Sequence, residues 1–120
     1  MKLTERIAAL DLPPPARLRF RAELLAVARS DGLVVREEQQ LVDRLVPGAA
    51  ESDPAELDVL WRHREILTEA AIYVAVADGD YGVEEARAVS ELAHRLGLSA
   101  RLLGEIEART FAELERRATA

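Results

Sequence analysis

The chain has 120 residues; Ala (21), Leu (18), Glu (15) and Arg (15) make up more than half of it, while Val (10), Ile (4) and Thr (4) are few. This balance argues against a sheet protein and sets the fold class as all-α. No cysteine is present, which excludes a disulfide framework, a thiolate zinc site and a cysteine nucleophile. The net charge of −6, from 22 acids against 16 bases, disfavours phosphate-driven nucleic-acid binding. The lack of an apolar signal core or a long uncharged run points to a cytoplasmic protein without direct membrane insertion.

In chain order, Leu3, Ile7 and Leu10 behind Thr4 predict a short first helix, ended by Leu12-Pro13-Pro14-Pro15. A second helix runs from Ala16 to about Ser30 on Phe20, Leu24, Val27 and Ala28, with Gly32 suited to the left-handed residue after it. A third spans about Arg36 to Val46, and Pro47-Gly48 stops it. Asp53-Pro54-Ala55-Glu56 has the character of a helix start. From there to Gly79 one apolar stripe through Leu57, Leu60, Trp61, Leu67, Ala71 and Val74 admits one long helix or two with a break near Arg62 to Glu65. A further helix from about Val83 to Leu96 closes on Gly97, and Ser99 and Thr110 are N-cap candidates for two short final helices, Thr110 with Glu113 forming a capping box.

An internal repeat organises this pattern into a single domain over residues 1–120. A shift of 47 residues carries Val27-Ala28 onto Val74-Ala75, Asp31-Gly32 onto Asp78-Gly79, Glu37-Glu38 onto Glu84-Glu85, and Val42 and Leu45 onto Val89 and Leu92. The expectation is a compact bundle of two helix–turn–helix hairpins, about 16–46 and 64–96, related by a pseudo-twofold axis and flanked by short helices.

Extending the stripes places Asp31, Glu38, Asp78 and Glu85 at core-facing edges of their helices, with Glu37 and Glu84 turned by about 100° toward water. Besides forming a polar docking surface for a basic partner, the four inward carboxylates fit two roles. They can cap backbone amides, each glutamate reaching back to the start of its own helix. Alternatively they can ligate a hard divalent cation such as calcium, magnesium or manganese. The turn Asp78-Gly79-Asp80-Tyr81-Gly82 is not an EF-hand loop, since Val83 and Val89 stand where that loop needs glycine and glutamate.

The segments Val27-Ala28-Arg29-Ser30-Asp31-Gly32 through Glu38 and Val74-Ala75-Val76-Ala77-Asp78-Gly79 through Glu85 resemble the TerB-like family, whose mark is an Ala-x-x-Asp-Gly turn followed by a glutamate seven residues after the aspartate. That family is associated with tellurite resistance, and a similar domain occurs in membrane-anchored DnaJ-type co-chaperones. The resemblance covers about Ala16 to Leu103. It implies an acidic helical domain that scaffolds stress-response complexes or chelates metal, with Asp31, Glu38, Asp78 and Glu85 at the matching positions. Ser30 stands where the second copy has Ala77, Val35 and Gly82 stand where a polar N-cap is expected, and Leu33 supplies no acid to match Asp80.

No serine elbow, phosphate loop or His-Glu-x-x-His motif is present, so enzymatic activity is not expected. His63 and His94 do not superpose under the repeat and read as packing or solvent-edge residues. Arg17, Arg19, Arg21 and Arg29 read as a solvated helix face, which leaves a helix–turn–helix DNA binder as a distant alternative. Trp61 reads as a core anchor, with an exposed docking residue as its rival. The expected function is docking of a protein partner through Glu37, Asp80 and Glu84 at the acidic turns, with divalent-cation binding as the alternative.

Overall fold

Proline cannot donate to a helix, so it either ends one or begins one, and Pro13-Pro14-Pro15 does both. In the computed structural model, which describes residues 2–30, 36–47, 55–77 and 81–119, α1 (Leu3–Ala8) stops before these prolines and α2 (Pro14–Ala28) starts on them with Pro13 as its N-cap. Thr4 lies inside α1, whose N-cap is Lys2. The other elements are α3 (Arg36–Leu45), a 3₁₀ segment (Leu57–His63), α4 (Arg64–Ala75), α5 (Val83–Arg95) and α6 (Ala100–Thr119). The protein is an all-α helical bundle, and no described helix is long and apolar enough to cross a membrane. Gly32, Gly48, Asp53 and Gly79, invoked above for turns and caps, lie outside the described residues.

At the centre of the bundle is α4. Every residue from Leu67 to Ala75 is buried, because α2, α3, α5, α6 and the 3₁₀ segment all pack against this helix. A helix buried all round must be apolar on every face or satisfy its polar groups locally. Ala70 and Ala71 let neighbours approach, and the Thr68 hydroxyl donates to the Arg64 carbonyl at 2.8 Å. Phe20 and Leu24 of α2, Leu92 of α5, Leu96 at the end of α5 and Ile106 of α6 close the core around it.

The repeat is visible in element boundaries. The 47-residue shift carries Ala28, the last residue of α2, onto Ala75, the last of α4, and Arg36, the first of α3, onto Val83, the first of α5. Beyond the α2–α4 contact, α2 meets α5 while α4 meets α3.

The stretch after Glu56 is two elements, the second of the arrangements its stripe admits, with the break at His63 (φ −113°, ψ 22°) and a 3₁₀ segment as the first of them. Two expectations need correction. Trp61 is not a core anchor: it is 46% exposed, while Leu60 is fully buried. With three residues per 3₁₀ turn, Leu57, Leu60 and His63 share a face and Trp61 sits about 120° away from it. The two final short helices are one helix, because the stripe Leu103, Ile106, Thr110 and Leu114 continues unbroken. Thr110 caps nothing; it is buried mid-helix and its hydroxyl donates to the Ile106 carbonyl at 2.7 Å. Ser99 is a cap as expected, its Oγ accepting from the Leu102 amide at 3.1 Å.

The arginines of α2 also differ from a solvated face. Arg17 donates to the Leu12 carbonyl and Arg19 to the Ala55 carbonyl, at 3.2 and 2.6 Å. Arg21 reaches the Val46 carbonyl and the Asp43 carboxylate. All three guanidinium groups tie α2 to chain segments beside it, so they do not form a stripe open to DNA.

Candidate functional site

Glu38 and Glu85 occupy the third position of α3 and α5 and are 1% and 4% exposed. Glu37 and Glu84, one residue earlier, are exposed, so the 100° step between neighbours separates the pairs as the sequence implies. Acids in a first turn are favoured by the positive end of the helix dipole. Glu85 Oε1 lies 3.6 Å from the position a Cβ on Gly82 would take, so its carboxylate is folded back onto the start of its own helix, the arrangement a capping glutamate adopts. Asp31, Asp78 and Asp80 lie outside the described residues. Among the described residues no group of three or more His, Asp or Glu side chains has the closeness a metal ion requires.

Two grooves define the surroundings of Glu37 and Glu84. The groove between α2 and α5 holds Glu84 beside Ser30 at the end of the first hairpin's leading helix. The groove between α3 and α4 holds Glu37 beside Ala77 at the corresponding end of the second. The matched positions continue along both grooves: Ala26 with Tyr73, Gln40 with Arg87, Leu41 with Ala88, and Arg44 with Glu91 are each 47 residues apart. The start of α5 thus lies by the end of α2, and the start of α3 by the end of α4. The α3–α4 groove differs in being overlaid by Leu3 and Thr4 of α1 and Leu114 and Arg117 of α6.

Two buried acids were not singled out by the sequence. Glu23 of α2 receives both terminal nitrogens of Arg95, at 2.8 and 3.3 Å, and Arg19 at 3.5 Å. Glu69 of α4 receives both terminal nitrogens of Arg6, each at 2.8 Å. These carboxylates hold the Arg95 and Arg6 guanidinium groups in their charged form. Glu23 stands beside Leu24 on the inner stripe of α2, and Glu69 interrupts the apolar run of α4, so a charge inside a core stripe was the available signal.

Glu69 and Arg6 lie in a cleft of about 740 Å³ between α1, α4 and α6. Leu3, Leu10, Ile66 and Tyr73 give it an apolar floor; Arg6, Arg62, Arg109, Arg116 and Arg117 give it a cationic wall. Glu113 pairs with Arg116 and Arg117, and the Arg117 guanidinium lies 5.8 Å from the Tyr73 ring centroid. His63 lines this cleft, whereas His94 is exposed on α5. Elsewhere Trp61 lies across Gly97 with the Arg64 guanidinium 4.8 Å over its ring. Compared with protein-family models, curated proteins and solved structures, the chain matches none.

Proposed function

We propose that the chain is a non-catalytic, TerB-like interaction domain that docks a basic protein partner through the end of the bundle where the two turns meet. The reading joins the twofold Ala-x-x-Asp-Gly pattern to one observation: Glu37 and Glu84 are exposed at matching positions, each against the end of the other hairpin's first helix. Asp31, Asp78 and Asp80, in the intervening turns by sequence, add to the same negative field, which steers a cationic surface and is weakened by salt. On this reading the hairpins are related by a pseudo-twofold axis and Glu38 and Glu85 cap their helices. A rise in melting temperature on adding calcium, magnesium or manganese would favour the ion-holding alternative instead.

The test is retention of partners from native cell extract on immobilised wild-type chain and on the Glu37→Lys/Glu84→Lys variant. Wild type is expected to retain protein at low ionic strength and release it at high salt. The variant is expected to lose that retention while remaining folded, with a modest fall in melting temperature because two exposed first-turn acids are replaced by cations. Equal retention by the two chains would contradict the proposal.

A further inference from the structure

The cleft between α1, α4 and α6 has a composition the rest of the chain does not share. Five arginines against three glutamates line it, an excess of positive charge on a chain whose net charge is −6. Its volume of about 740 Å³ lies in the range of small-molecule sites, roughly 300–1,000 Å³. Its cations are of two kinds. Arg6, Arg116 and Arg117 are held in place by Glu69 and Glu113. Arg62 and Arg109 make no ion pair or hydrogen bond among the described residues, so no described side chain holds their guanidinium groups. Tyr73 adds a hydroxyl without a hydrogen-bond partner among the described residues, in surroundings whose charges are Arg6, Glu69, Glu113 and Arg117.

A guanidinium held by a carboxylate keeps the donors it has not used, and fixing it beforehand lowers the ordering cost of binding. Unpaired arginines beside it supply the remaining charge, and planar guanidinium groups match carboxylate and phosphate oxygens. The floor of Leu3, Leu10, Ile66 and Tyr73 is apolar, so an ion alone would leave it wet. We infer that this cleft binds a small organic anion, a carboxylate or phosphate attached to an apolar body, with the oxyanion on the arginine wall and the body on the apolar floor.

The test is calorimetric titration of the full chain with phenyl phosphate and with benzoate, each against inorganic phosphate. Saturable binding of at least one aromatic anion in the millimolar range or tighter, stronger than that of inorganic phosphate, is expected. The Arg62→Gln/Arg109→Gln variant should bind it at least about tenfold more weakly, from the loss of charge-assisted hydrogen bonds. Its melting temperature without ligand should be unchanged, because neither side chain is bonded to the protein. Absence of saturable binding for both aromatic anions, equal affinity in the variant, or sedimentation with phosphatidylglycerol vesicles in place of binding the soluble anions would each overturn the inference.

Discussion

Burial raises the hydroxyls of Tyr73 and Tyr81, the chain's two tyrosines, above the ordinary value of 10.0. For Tyr73, Arg117 partly opposes that shift; for Tyr81, the neighbouring Glu107 carboxylate, which accepts its hydroxyl at 3.0 Å, reinforces it. Above pH 10 the unfolded chain therefore holds fewer protons than the folded one. The stability this contributes is fully present below pH 10 and is lost as pH rises beyond it. An ultraviolet titration followed together with helical circular dichroism should show phenolate appearing at higher pH in the folded chain than in the urea-unfolded chain. Titration of both tyrosines near 10.0 with the helices intact would contradict this. Single side chains were also where the sequence was least legible. Glu23 and Glu69 pair with arginines 72 and 63 residues away, and helical periodicity carries no information about a partner so distant. Glu37, Glu38, Glu84 and Glu85 were legible because exposure there depends only on the 100° step along one helix.

Among the elements, the α5–α6 connection illustrates two opposite uses of glycine. Gly97 has φ +74° and closes α5 in a Schellman motif, the Leu98 amide donating to Ala93 and the Gly97 amide to His94. A Cβ there would also stand 2.9 Å from Trp61 Cζ2 and closer to Cη2. Gly97→Ala should destabilise the chain by at least about 1–2 kcal/mol from the left-handed backbone alone. Gly104, inside α6, would present its Cβ to nothing within 4 Å. Gly104→Ala should stabilise by about 0.5–1 kcal/mol. Urea melts of both variants check the pair, and the same sign for both would contradict the account. Helices α2, α3 and α5 were legible to within a residue or two because each carries an apolar stripe bounded by proline or glycine, whereas the start of α4 has neither and its stripe runs on from the segment before it. The 3₁₀ segment was not legible, since Leu57, Leu60 and Trp61 fit an α-helical stripe until the period is known to be three. In α6, Thr110-x-x-Glu113 satisfied the pattern of a helix start, yet no glycine or proline lay between Glu105 and Thr110 to stop the helix already under way.

At the scale of the whole molecule, charge is sorted by location. The exposed acids Glu37 and Glu84 stand at the starts of α3 and α5, and an excess of arginine gathers in the cleft between α1, α4 and α6. Packing of α2 on α4 sets the starts of α5 and α3 by the ends of α2 and α4 and leaves α1 and α6 to build the cleft. The 47-residue repeat made the matching boundaries of the paired helices legible from sequence, whereas the cleft draws on α1 and α6, which lie outside the repeat, and was not. The most direct test of docking through the turn end is a nuclear magnetic resonance titration of the isotope-labelled chain with a short lysine-rich peptide at low salt. The account predicts shift changes concentrated at the amides of Ser30, Glu37, Ala77 and Glu84, on both hairpins together, and their collapse at high salt. Changes confined to one hairpin, or centred on α1 and α6 instead, would contradict it.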